Sequence, residues 1–186
     1  MLIIIVMTFV LVLDQYASFY VEKIVPDNML YTITDIIAYS LRPAILVMFC
    51  HIVNDESRHI FEWSLVAINT VIHMTALFSQ ICFWVTPDNH FIRGPLGYTS
   101  HIVSGILLLQ FLRLALRKYK DTKRRELFVQ FFIAALIIVA TMLDSFGGEW
   151  RFFQVSLILP TIVICVVFQY IWIHLQYVRE HEQDMM

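Results

Sequence analysis

The sequence predicts an all-α membrane protein of six transmembrane helices, the last extending into a cytoplasmic signalling helix. Three observations carry that prediction. Hydrophobic residues make up 59% of the 186-residue chain and charged residues 15%, with a mean hydropathy of +0.72. Soluble domains sit near half apolar and a quarter charged. The apolar residues fall in blocks of about 20 without strict alternation, which suits helices that cross hydrocarbon. A basic stretch from 113 to 125 holds seven of the thirteen Lys and Arg residues, and positive loops stay in the cytoplasm.

The blocks follow in order, each long enough at about 1.5 Å per residue to cross a ~30 Å core. The first, 1 to 21, has no basic leading region and no small-residue cleavage pattern before Asp14 and Tyr16. It is expected to be a span and not a removable signal peptide. The second, 29 to 53, follows Pro26-Asp27-Asn28, and the third, 60 to 85, follows Asn54-Asp55-Glu56-Ser57. Pro87-Asp88-Asn89 and Gly94-Pro95 with Gly97 precede the fourth, 98 to 117. The basic stretch separates it from the fifth, 127 to 146, and Gly147-Gly148 precedes the sixth, 152 to 175. All these breaks carry turn chemistry.

Placing the basic stretch in the cytoplasm puts both termini there too. Nine Lys and Arg then lie inside and three outside (Lys23, Arg93, Arg151), with Arg42 inside a span. The arrangement is that of a multi-pass protein with both ends cytoplasmic and membrane lipid as its environment. Asp121 and Glu126 dilute the basic run, and no nucleic-acid partner is expected.

Beyond a six-helix transmembrane domain over 1 to 175, residues 176 to 186 read as the start of a coiled-coil linker. Ile171, Leu175, Val178 and Met185 keep a four-three apolar spacing interrupted by Glu182, which suits a parallel homodimer through helix six. The competing reading is a frayed amphipathic tail.

Arg42 near mid-span is costly unless paired or hydrated. Asp14 falls within about 6 Å of the same depth, and Asp35 lies seven residues before Arg42 on the same helix. The expected pair is Arg42 with Asp14, with Asp35 as alternative, serving either helix register or a sensing role. Pro43 removes a donor from the Tyr39 carbonyl. Asn69 and His73, one turn apart, line a polar interior or bond between helices.

The three cysteines, Cys50, Cys82 and Cys165, have no CxxC spacing, so no disulfide, metal or cofactor is expected. Ser104-Gly105 near His101 lacks the GxSG context of a serine nucleophile, and no catalysis is expected of these residues. On the outer side, His90, Arg93, Tyr98 and His101 flank one loop, and Asp144, Glu149, Trp150 and Arg151 flank the next. If their helix ends converge they form a mouth for an unknown small-molecule or peptide signal. Otherwise they are ordinary interfacial decoration.

Two stretches carry a family resemblance. Asn89-His90-Phe91-Ile92-Arg93-Gly94-Pro95-Leu96-Gly97-Tyr98 resembles the N-x-F/Y-x-R-G-P-L outer-loop pattern of multi-helix sensor regions in clostridial-type bacterial signalling proteins. The run from His174 to Asp184 is similar to the connector of autolysin-regulator-class sensor histidine kinases. The resemblance implies a sensor and membrane-anchor region whose output module, a histidine kinase or a diguanylate cyclase, belongs to residues beyond Met186. Asn89, Arg93, Gly94, Pro95 and Leu96 are its matched positions. The competing expectation is a small transporter or channel subunit with a polar path near Arg42, Asp14, Asn69 and His73. Such proteins often carry inverted repeats and paired broken helices, and this sequence shows no evident repeat.

Overall fold

In a computed structural model of the chain, the described residues are 2–24, 28–54, 58–87, 90–119 and 124–146, with nine positions between 161 and 178. Five continuous helices form among the described residues: α1 (Leu2–Ile24), α2 (Asn28–Val53), α3 (Ile60–Met74), α4 (Thr99–Tyr119) and α5 (Arg124–Phe146). Among the described residues four stretches are long and apolar enough to cross a membrane: Leu2–Glu22, Met29–Val53, Ile60–Leu77 and Thr99–Lys118. In α5 the apolar run Leu127–Leu143 is shorter. The protein is an all-α membrane protein, with a small β-hairpin in one loop.

That hairpin corrects the third predicted span. The helix does not continue to 85: after Met74 it tightens into a 3₁₀ turn over Thr75–Leu77. The chain then forms β1 (Phe83–Val85) against β2 (Phe91–Arg93), antiparallel, with Trp84 opposite Ile92. The aromatic and β-branched run Phe83-Trp84-Val85-Thr86 fits a pleated surface better than a helix. The eighteen residues of Ile60–Leu77 already suffice for a span.

Helix α2 lies at the centre, packed on α1, α3 and α4, and α4 packs in turn on α5. Its buried Val47, Cys50 and Val53 meet Leu107 and Phe111 of α4 in one apolar core. That core extends to Ile133 and Ala134 of α5. Ile68, Val71, Leu109 and Phe128 point outward and are exposed, as lipid-facing residues of a bundle are. Asn69, His73 and Gln130 are buried. The usual inside-out ordering of a water-soluble helix pair is therefore reversed along these faces.

The hairpin folds back onto the bundle instead of projecting from it. Phe83 and Cys82 are fully buried against Ile36 and Tyr39 of α2, with Ile72, Ala76 and Phe91 packed around them. Two glycines permit that approach. A Cβ on Gly94 would overlap the Ile81 carbonyl oxygen and sit 2.5 Å from the Gln80 oxygen, and one on Gly97 would sit 2.7 Å from the Cys82 oxygen. Gly94 N–H donates to Cys82 O at 2.8 Å and Leu96 N–H to Ile81 O at 3.0 Å. Close backbone approach is thus what the Arg-Gly-Pro-Leu-Gly stretch is for locally.

Candidate functional site

The site grows from Pro43. Inside a regular helix the Tyr39 carbonyl would accept the N–H four residues later, and proline has none. The α2 helix nevertheless runs through Pro43. The freed Tyr39 oxygen accepts instead from Asn69 Nδ2 of α3 and Ser100 Oγ of α4, both at 3.0 Å. One carbonyl therefore ties three helices together. Asn69 acts here as interhelical bonding, and both its side chain and that of His73 are completely buried.

An aromatic and cationic cluster surrounds that junction. The Tyr39 ring lies 5.1 Å from the His73 ring, 6.0 Å from Phe83, 6.3 Å from Phe91 and 6.2 Å from His101. The Arg42 guanidinium stands 5.1 Å over the same ring. His73 Nδ1 is 2.9 Å from the Asn69 carbonyl. A carbonyl only accepts, so that nitrogen carries the hydrogen and Nε2 is left as an acceptor in the neutral ring.

Of the residues expected at the mouth, Arg93, Tyr98 and His101 come together. Arg93 Nη1 is 3.5 Å from His101 Nε2, its guanidinium stands 5.0 Å over the Tyr98 ring, and Tyr98 meets His101 at 5.9 Å. His90 instead closes the hairpin turn, its N–H donating to Thr86 Oγ1 at 3.1 Å, and its side chain is exposed. Asp144 lies in the last turn of α5, while the side chain of Asp144 and residues Asn89, Glu149, Trp150 and Arg151 fall outside what is described. So does the tail from 179 onward. Burial pushes the Cys82 thiol, beneath the hairpin, up to about 11.

Arg42 reaches towards α1, donating from Nη2 to Gln15 Oε1 at 3.3 Å. Asp14, next to Gln15, feels both the Arg42 and the Asp35 charges. The three ionisable residues expected together therefore share one electrostatic neighbourhood.

A cavity of about 70 Å³ opens beside this cluster. Arg42, Ser100, His101 and Ser104 supply its polar wall, and Leu11, Ile45 and Phe49 part of its apolar one. Ile162, from the sixth apolar segment, completes it and is itself buried. A groove of about 330 Å³ between α4 and α5 shares His101, Ser104, Ile137 and Thr141 with the cavity.

The opposite, basic end carries a second polar knot that sequence reasoning missed. His59, just before α3, has φ 47°, in the left-handed region that disfavours a side chain. Its ring nitrogens lie 2.8 Å from the Asn54 carbonyl and 3.5 Å from Glu62 Oε1, and Glu62 accepts from Gln110 Nε2 of α4 at 3.2 Å. His51 packs on His59 at 4.6 Å. Among the described residues no group of three or more His, Cys, Asp and Glu has metal-binding geometry.

The residues missed at the first site were Ser100, Phe83 and Phe91. Ser100 was discoverable, since a proline four residues after Tyr39 calls for a foreign donor. The ring partners depend on the hairpin, which periodicity did not show. No protein-family model, curated protein or solved structure matches this chain.

Proposed function

We propose that this chain is a six-crossing sensory domain of a bacterial signalling protein, with both termini cytoplasmic and the hairpin on the outer face. A signal received on the hairpin side shifts the sixth helix, which carries the displacement into a cytoplasmic coil shared with a second copy. A histidine kinase is the favoured output. The observation that supports this reading is the cavity wall: Arg42, His101 and Ile162 of the sixth segment line one cavity. A ligand can drive such a shift only by binding one helix arrangement better than the other.

The test fuses the chain to a histidine-kinase module and reads autophosphorylation in liposomes. Ile162→Trp, which fills the cavity, and Ile162→Ala, which enlarges it, are expected to move the output in opposite directions. Unchanged output from both, in protein that inserts normally, discards the sensing role. Quantitative flux of a small solute through the same liposomes, abolished by Arg42→Ala, would favour a transporter.

A further inference from the structure

We propose that the α4/α5 groove and the cavity behind it form one binding site for the acyl chain of a carbonyl-headed amphiphile drawn sideways from the bilayer. Its head is held by Ser104, His101 and Arg42. The proposal rests on the sensing reading for its purpose, while the occupancy itself is measured separately from signalling.

Groove and cavity are continuous. They meet at His101 and Ser104 on α4 and at Ile137 and Thr141 on α5, so a molecule lying between these helices passes directly to the Arg42 wall. The groove is apolar along Leu108, Ile138 and Met142, and its neighbours Ile106, Val139 and Leu109 face outward as lipid-contacting residues do. Gly105 forms part of its floor, and a Cβ placed there would meet nothing within 4 Å. A side chain at 105 would therefore occupy the groove without disturbing the helix packing.

The hydroxyl of Ser104 differs from several others in these helices. In these helices Thr8, Ser64, Thr70 and Thr141 each donate back to the carbonyl four residues earlier, at 2.8 to 2.9 Å. Ser104 makes no such bond with any described residue, and it lines both the groove and the cavity. It is a donor set at the point where a chain entering from lipid would bring its polar end.

The donors on the cavity wall select the head. Arg42 brings a guanidinium that already donates to Gln15, and with Ser104 and His101 on the same wall the site offers directional donors. That suits an acceptor carbonyl oxygen, as in a carboxylic acid or an acyl ester. The space matches: about 70 Å³ at the polar end exceeds the ~10–15 Å³ that a single water needs, and it takes a small head while the chain lies in the groove.

The experiment uses the full chain in lipid nanodiscs with palmitic acid carrying a mid-chain diazirine, and maps the crosslinks by mass spectrometry. Saturable labelling is expected on the 98–105 and 137–142 peptides. Gly105→Leu is expected to lower it by roughly tenfold, with Cys82 still protected from alkylation as the control for intact folding. Competition by unlabelled palmitic acid assigns a free acid, and competition only by added phospholipid assigns a bilayer acyl chain; either supports the site. Labelling that is non-saturable, spread evenly over outward residues such as Ile68 and Val71, or indifferent to Gly105→Leu overturns it. Equal competition by hexadecane also overturns it, because the polar end would then play no part. If labelling behaves as expected but kinase output in the fusion ignores palmitic acid, the sensing role fails and the site stands.

Discussion

Pro43 withholds the hydrogen that the Tyr39 carbonyl would receive in a regular helix, and that oxygen instead binds Asn69 and Ser100 across two other helices at 3.0 Å each. A defect in one helix has become the joint of three. The aromatic cluster, the hairpin and the Arg42 wall are all arranged around it.

The joint predicts a coupling. Asn69→Ala is expected to destabilise the bundle by about 1 kcal/mol, in the range of single interhelical hydrogen bonds in membranes. Pro43→Ala restores a donor within α2, so the cost of Asn69→Ala should shrink in that background. A double-mutant cycle on unfolding in mixed detergent reads the difference directly. Strict additivity would detach Pro43 from the role given to it.

Gly94→Ala is expected to displace the hairpin, because its new methyl group meets backbone and not a flexible side-chain end. Cys82 reports the displacement. In the native protein its thiol is fully buried and raised to about 11, so at pH 7 to 8 it is protonated and shielded. Because the thiolate is the reactive form, any residual alkylation should rise as pH approaches that value. In Gly94→Ala the exposed thiol should return towards an ordinary ~8.5 and react rapidly at pH 8. Equal rates for both proteins would show that the hairpin does not depend on this close approach.

Removing the Arg42 charge takes away the cation that acts on Asp14 and leaves the repulsion from Asp35. Arg42→Met is expected to cost about 3 kcal/mol, as breaking one side of a buried ionic group does. Adding Asp14→Asn should recover part of that loss, measured as thermal unfolding in detergent. A fully stable Arg42→Met protein would leave Arg42 with no structural task and strengthen a purely ligand-facing one.

The spans α1, α2 and α4 were legible because unbroken apolar blocks bounded by turn residues have one reading in hydrocarbon. The end of the third was not. Phe83-Trp84-Val85 is as apolar as a span, and hydropathy alone cannot tell a strand lying on a bundle from a helix continuing through it. The neighbourhood of Asp14, Asp35 and Arg42 could be read from depth and spacing, since the cost of a lone charge demands company. Tyr39 was legible only as the residue Pro43 deprives of a donor, and which side chains answer depends on tertiary packing. The latch of His59, Glu62 and Gln110 gave no signal, because its members are 3 and 48 residues apart and unremarkable singly.

The most direct test of the account is topological: cysteines placed one at a time at Tyr98 and at Arg117, in protein with Cys50, Cys82 and Cys165 replaced, and exposed to a membrane-impermeant maleimide on intact cells. The account predicts that the Tyr98 position, beside the hairpin, labels from outside and that the Arg117 position labels only after the cells are opened. Labelling of the Arg117 position from outside would contradict it, because the cavity, the hairpin and the sixth helix would then face the wrong compartments for an external signal to reach the cytoplasm through them.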